Sequence, residues 1–427
     1  MRRICDNRPV GVFLNFERVK AMKVAVMGFG VVGSGVAELL KKNAPVIKEN
    51  TGADLEVKRI LDIRDFPNSE FAPLLTKDFC DIENDDEIEV VVETMGGLNP
   101  AFDFVSRCLK KKKHVVSSNK ELVAQKGFEL LKLAEENNVN FLFEASVGGG
   151  IPIIRPISRC LAGNRIDSIA GILNGTTNFI MTKMIMERTG FSDALSLAQK
   201  LGYAEKDPTA DVEGLDACRK ICILASLAFG HHVYPNEVHT EGISKITLDD
   251  VEDADRFGYV IKLIAQAKKL ENGKIYALVS PALVKKESML AGVSDVFNAC
   301  LVRGDMTGDI LLYGKGAGAS ATASAVVGDI IDCADNREKR KVFGWKESVP
   351  GLIEDYQKVP VSLFVRIEGS KAEKEKVLSL LNPEKIFEKT EKNELSFITR
   401  IEPEEELQKK LSLGGFKVLS SIRVTDY

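Results

Sequence analysis

Lys23-Val24-Ala25-Val26-Met27-Gly28-Phe29-Gly30-Val31-Val32-Gly33-Ser34 decides how this chain folds. A short Val-rich run stops at a glycine cluster, and helical periodicity follows, with Val36, Leu39 and Leu40 on one face. Strand, glycine turn and helix in that order are the context of a dinucleotide-binding fingerprint. Gly28 permits the tight turn, Gly30 lets a pyrophosphate approach the backbone, and Gly33 lets helix and strand pack closely. Phosphates then sit on the helix N-terminus, where free N–H groups and the dipole favour anions. The plain alternative is an ordinary glycine-rich turn between strand and helix.

Further strands are expected at Leu55 to Leu61, Glu89 to Val92, His114 to Ser117 and Asn140 to Glu144, with helices at Phe102 to Lys111 and Leu122 to Asn137. That alternation implies a parallel sheet with helices on both faces, a Rossmann-type α/β domain. The pattern changes after Gly148-Gly149-Gly150. Beyond it come a strand at Ile166 to Leu173, a helix at Asn178 to Arg188, and a helix that Ser192 can cap and that ends at Gly202. Asp211 to Phe229 reads as the longest apolar helix, and another is expected near Asp255 to Leu270. Strand-like runs at Ile275 to Val284 and Ser294 to Val302 precede the glycine-rich run Gly314 to Gly318 and a helix of small residues, Ser320 to Ile331. Asn336 to Glu347 is charged and reads as a linker. From Pro360 onward the order is βαββαβ, a ferredoxin-like layout expected to form a separate module. The expected domains are 22–150, completed by about 315–335, then an α+β domain over 151–314 and the small module over 356–427.

Composition narrows the function. The chain has 427 residues, 44% apolar and 28% charged, with a formal charge of -4 from 58 basic and 62 acidic side chains. That balance lacks the basic footprint of a nucleic-acid binder. No apolar run approaches the roughly 20 residues of a membrane helix, so neither nucleic acid nor membrane is an expected partner. The 8 cysteines are dispersed without a Cys-x-x-Cys pair, which suits free thiols and a cytoplasmic setting. Residues 1–21 carry charges throughout and no long apolar core, so they read as a disordered or non-native extension rather than a signal peptide.

Several polar residues fall where α/β sheets bind ligands. Asp62 closes the second strand, where an acid holds a free ribose hydroxyl and favours NAD, whereas Arg64 two residues on suits the phosphate of NADP; the choice stays open. Thr94 with Gly96-Gly97, and Asn119-Lys120, close two further strands at the carboxyl edge. A second constellation comprises Glu205, Asp207, Asp211, Glu213, Asp216 and Lys220. Asp216 and Lys220 are four apart and share a helix face. The bland account is a solvated ion pair worth a few tenths of a kcal/mol. The helix beyond Lys220 is apolar on every side, which instead marks partial dehydration and a lowered lysine pKa suited to proton transfer. In Asn174-Gly175-Thr176-Thr177-Asn178 a strand ends in a hydroxyl-rich helix start, which either caps the helix or cradles a substrate carboxylate or the cofactor.

From Met22 to Cys333 the chain resembles the homoserine dehydrogenases, most specifically over Leu201 to Lys220, with Asn174 to Asn178 and Gly316-Ala317-Gly318 in agreement. The resemblance implies NAD(P)-dependent interconversion of L-aspartate 4-semialdehyde and L-homoserine, on the route to threonine, methionine and isoleucine. It implies that Glu205 and Asp216 bind substrate with Asp211 nearby and Thr176 at the same site, that Lys220 donates the proton in reduction, and that Lys120 polarises the carbonyl or orients the substrate. Phe29, Val31, Val32, Thr94 and Gly316 fall where the family contacts its cofactor. Glu144, with backbone groups of Val147, Gly149 and Ile151, matches a monovalent-cation site, usually Na+. The family typically forms a homodimer through the middle domain. The C-terminal module resembles an ACT domain, which makes threonine a candidate effector, although Glu368-Gly369-Ser370 stands where the usual ligand loop carries Asp and Gly. The competing readings are a dehydrogenase for a related semialdehyde and a dinucleotide-sensing regulator without turnover; a basic DNA-binding helix would support the latter, and none is evident.

Overall fold

The computed structural model describes residues 21–427, so the extension expected at the N-terminus lies outside the described residues. The first layer is a six-stranded sheet of β1 (Met22–Met27), β2 (Leu55–Leu61), β3 (Leu75–Thr76), β4 (Ile88–Glu93), β5 (His114–Ser117) and β6 (Phe141–Leu142). The strands run parallel in the order β3-β2-β1-β4-β5-β6. β1 and β4 are buried on both faces, as a sheet covered by helices requires. β6 is shorter than expected because its flanks bond elsewhere: the Asn140 N–H goes to His114 Nδ1 and the Glu144 N–H to Asp329 Oδ2. The helix Ala319–Asp335 returns to this layer and packs on Val31–Lys42, where a Cβ on Gly35 would lie 3.3 Å from that of Ala323.

The second sheet holds β7 (Ile166–Ile172), β8 (His239–Thr240), β9 (Tyr259–Lys269), β10 (Ile275–Lys285), β11 (Phe297–Gly304), β12 (Gly308–Lys315), β13 (Pro360–Glu368), β14 (Lys385–Lys389), β15 (Glu394–Ile398), β16 (Glu402–Pro403) and β17 (Lys417–Val424). Its main path runs β12-β11-β7-β9-β10-β17-β13-β15-β14. The last four strands keep the ferredoxin-like order expected of βαββαβ. They keep a hydrophobic cluster of their own, and their sheet continues into the middle one, where β17 pairs with β10 through Ala282↔Arg423 and Leu283↔Val424. Charge reinforces the seam. Arg366 of β13 meets Asp250 at 3.1 Å, and Lys389 of β14 meets Asp253 at 2.8 Å.

Other expectations change with the fold. The helix expected near Asp255 to Leu270 is a helix over Leu248–Arg256 followed by β9, whose central position buries both faces and erases the alternation that marks a strand. Asp211 to Phe229 breaks at Gly214 (φ +80°) into Thr209–Val212 and Leu215–Phe229. The helix Phe191–Lys200 starts on Gly190, with Ser192 already inside it. Asn336 to Glu347 is not a free linker, because Trp345 is buried and donates its ring N–H to His232 Nδ1. Lys346 also exchanges backbone bonds with Gly230 and His232.

Thr247 caps the helix Leu248–Arg256. Its hydroxyl accepts from Asp250 N–H and from Arg366 Nη2, while its own N–H donates to Asp250 Oδ2 at 2.9 Å. Thr247→Ala is expected to cost about 1–2 kcal/mol, read as a lower urea midpoint that Thr247→Ser largely restores.

Candidate active site

Main-chain geometry shapes the glycine turn. Gly28 has φ +95°, and a Cβ there would lie 2.9 Å from the Thr94 carbonyl; one on Gly33 would lie 1.8 Å from the Gly28 carbonyl. Gly30 faces open space apart from the Arg64 guanidinium, 3.7 Å from its virtual Cβ. The following helix has no acid in its first turn, and Val31 at its start is 71% exposed. Thr94 pins the turn by donating to Gly28 O at 2.8 Å and Met27 O at 3.1 Å. The Phe29 ring is buried edge-on against Phe66 and Phe71, so only its backbone faces the turn.

Asp62 is already occupied. One carboxylate oxygen accepts from Phe29 N–H at 2.7 Å and Arg64 Nη2 at 2.9 Å, the other from Arg64 N–H and Nε, each at 2.9 Å. Arg64, helped by these backbone donors, holds its pKa at about 2 against the effect of burial. The carboxylate is committed to its own loop, and the exposed guanidinium is the group turned toward Gly30.

The helix Leu215–Phe229 buries Asp216 and Lys220 on one face. Lys220 Nζ lies 2.9 Å from Asp216 Oδ2 and donates to Leu173 O at 2.7 Å. Lys120, from the first residue of the helix Lys120–Glu136, reaches the other Asp216 oxygen at 2.6 Å. One aspartate thus joins ammonium groups from both layers. Asn174 Nδ2 bridges Asp211 (2.8 Å) and Asp216 (2.9 Å), while its oxygen caps the helix Gly175–Glu187 at Thr177 N–H. The sequence marked the run Asn174 to Asn178 without picking out Asn174 itself, whose partners Asp211 and Asp216 lie 37 and 42 residues on.

The electrostatics follow from burial and pairing. Burial opposes the Asp216 charge, but Lys220 and Lys120 outweigh it and hold the carboxyl well below its ordinary 3.8. Burial pulls Lys220 below 10.5, with Asp216 opposing. For Lys120 the same aspartate overcomes burial, and the pKa rises. Burial raises Asp211, which the Asn174 hydrogen bond offsets only in part. Lys120, Asn174, Thr176, Asp211, Asp216 and Lys220 share with Gly316 a cavity of about 650 Å³. Gly316 is obligatory there, since a Cβ would fall 2.0 Å from Asn298 Nδ2. A buried lysine held at a fixed point in such a cavity can give or take a proton.

Two family models match in succession: "Homoserine dehydrogenase, NAD binding domain" over residues 28–144 and "Homoserine dehydrogenase" over 152–331. Homoserine dehydrogenase of Synechocystis sp. is 46% identical over 320 residues, 73% of each chain, and that of Bacillus subtilis is 41% identical over 322 residues, 74% of each. This chain belongs to the homoserine dehydrogenase family. It is accordingly an NAD(P)-dependent oxidoreductase. The crystal structure of a homoserine dehydrogenase from Thiobacillus denitrificans superposes with a TM-score of 0.89 at 35% identity, covering 95% of this chain and 99% of that one. A hyperthermophilic archaeal homoserine dehydrogenase in complex with NADPH matches with a TM-score of 0.63 at 29% identity, over 73% of this chain and 97% of that one.

Two further groups implied by the family resemblance lie outside the lining of that cavity. Glu205 is exposed on the loop after Tyr203 and does not line the cavity. Thr176 Oγ1 donates to Tyr203 O at 2.6 Å, and Gln199 Nε2 donates to the Glu205 carbonyl at 3.1 Å, which tie that loop down. The buried Glu144 carboxylate accepts from the N–H groups of Ile153 and Ile154 at 2.6 and 2.8 Å on one oxygen and of Arg155 at 2.7 Å on the other. Among the described residues, no N–H or O–H donates to the carbonyls of Val147, Gly149 or Ile151. Gly149 (φ +57°) packs against the Gly316 carbonyl, which brings this segment against the cavity wall.

Proposed function

We propose that the Lys220 cavity carries out the interconversion of L-aspartate 4-semialdehyde and L-homoserine, with Lys220 as the proton-transferring group. The observation that carries the reading is a buried lysine paired with Asp216 and hydrogen-bonded to Leu173 O, in a cavity that Lys120 and Gly316 also line. The cofactor, when bound, supplies the hydride to the aldehyde carbon. Lys220 delivers its proton to the oxygen as alkoxide character develops, and takes it back in the oxidation of the alcohol. Lys120 draws electron density from the same oxygen, and Asp216 fixes both ammonium groups. Preorganised charge of this kind is a large part of enzymatic acceleration. Asp211, with a raised pKa, and Asn174 orient the amino-acid end of the substrate. Gly28, Gly30 and Gly33 hold the pyrophosphate through main-chain N–H groups at the helix start, and Val31, Val32, Thr94 and Gly316 line its path. The domains divide as 22–150 with 315–335 for the cofactor, 151–314 for the substrate and 356–427 for the terminal module.

Arg64 supports a preference for NADP, because its guanidinium is exposed beside Gly30 while Asp62 is unavailable to a ribose hydroxyl. Arg64→Ala is expected to raise the KM for NADPH about 10-fold or more with little change for NADH, in keeping with the loss of a charge-assisted phosphate contact. Equal changes for both cofactors would contradict this assignment.

A monovalent cation fits Glu144 with the backbone carbonyls of Val147, Gly149 and Ile151. Replacing sodium by choline tests that site. The terminal module suits a threonine-responsive role, against which flat activity under millimolar threonine would count. A homodimer through the middle domain is supported by the edge strand β12, whose Tyr313 is 52% exposed; sedimentation tests it. Every described cysteine is a free thiol, and no helix among the described residues is long and apolar enough to cross a membrane. Free thiols support a cytoplasmic setting.

A further inference from the structure

Glu93 ends β4 and is 0% exposed, yet no step above uses it. Its carboxylate lies between two loops at the carboxyl edge of the sheet. One oxygen accepts from Met95 N–H at 2.9 Å and Gly96 N–H at 3.3 Å, in the loop that follows Thr94. The other accepts from Ser117 Oγ at 2.6 Å. Ser117 Oγ in turn accepts from Asn119 N–H at 3.0 Å. Asn119 Nδ2 reaches back to Glu93 at 3.4 Å and donates to Gly97 O at 2.6 Å, while Asn119 Oδ1 caps the next helix at Leu122 N–H. That helix begins with Lys120, whose ammonium contacts Asp216.

We propose that Glu93 is a positioning residue for the reaction, locking the end of β5 and the helix cap so that Lys120 is held on Asp216 at the cavity. A buried carboxylate satisfied by several donors has little freedom to move, and side chains anchored on such a group inherit its precision. The proposal rests on Lys120 acting at the reacting oxygen, as argued above.

The test is a double-mutant cycle on kcat with Glu93→Ala and Lys120→Ala, with circular dichroism to confirm folding. Acting through Lys120, Glu93→Ala should lower kcat about 30-fold in the wild-type background and less than about 3-fold in the Lys120→Ala background, because coupled residues are not additive. A purely architectural role would give the same loss in both backgrounds, which overturns the proposal, as does an unchanged kcat in the wild-type background. Glu93→Gln keeps the acceptor for Met95, Gly96 and Asn119 and can donate to Ser117 Oγ; it should restore kcat to within about 5-fold of wild type. A glutamine variant no better than alanine contradicts the hydrogen-bonding role. Should Glu93→Ala not fold, Ser117→Ala takes its place, with about a 5-fold loss expected only when Lys120 is present. Lys120→Ala with full turnover would remove the role given to Lys120, whereas an impaired Lys120→Ala with additive losses removes Glu93 alone.

Discussion

Lys220→Ala lowers turnover by about 10²–10⁴-fold, the range for loss of a positioned proton donor, and leaves cofactor binding nearly unchanged. The separation follows from architecture. The glycine turn stands on the first sheet, whereas Lys220 stands on the helix Leu215–Phe229 that packs against the second. The pH profile carries the same information. Burial holds Lys220 below the ordinary 10.5, so in the reduction direction kcat falls as pH rises through that lowered value and the ammonium is lost. In the oxidation direction the neutral amine is required, and kcat rises over the same window. The alanine variant should lose this limb in both directions. Steady-state kinetics with a fluorescence titration of the reduced cofactor checks both halves. Turnover like that of the wild type would remove Lys220 from the chemistry.

Asp216→Ala is the second large effect, on stability as well as rate. The substitution leaves Lys220 buried without its counter-charge, and a broken buried pair costs about 3–5 kcal/mol. Lys120 is 41% exposed and loses less, since water reaches it. The wild-type advantage depends on pH with a definite sign. The Asp216 carboxyl sits well below 3.8 in the folded chain, so its contribution is fully present above the unfolded value and fades as pH falls below about 4. The gap between variant and wild type, read by urea unfolding, should therefore be wide at neutral pH and narrow in acid. A gap independent of pH would mean that the carboxylate charge is not what stabilises the site. Asp216→Asn keeps the shape and an acceptor, so it should fold better than alanine while still losing turnover.

Much of the cofactor side was legible in the sequence because it is local. Gly28 and Gly33 lie within six residues of one another, and each has a steric reason within the turn, whereas Gly30 meets only the Arg64 guanidinium. The Asp216–Lys220 pair was legible for the same reason, four residues apart on one helix. That Lys120 would share the same aspartate was not, since the partner arrives from the other layer and only the tertiary fold brings them together. Asn174 hid behind its duty as a helix cap, and Glu93 behind a strand of apolar neighbours. Glu205 was readable only through its motif, because it is exposed on the loop after Tyr203 and no side-chain partner among the described residues marks it. β9 failed as a helix because burial on both faces removes periodicity. The charged run before the terminal module concealed a single anchor, Trp345, whose burial decides its course.

The most direct measurement is a crystal structure of the ternary complex with homoserine and oxidised cofactor. The substrate hydroxyl should lie within about 3 Å of Lys220 Nζ, its carbon facing the nicotinamide, with the pyrophosphate over Gly30. Homoserine bound elsewhere, or Lys220 still closed on Leu173 O and Asp216 without touching the hydroxyl, would contradict the account.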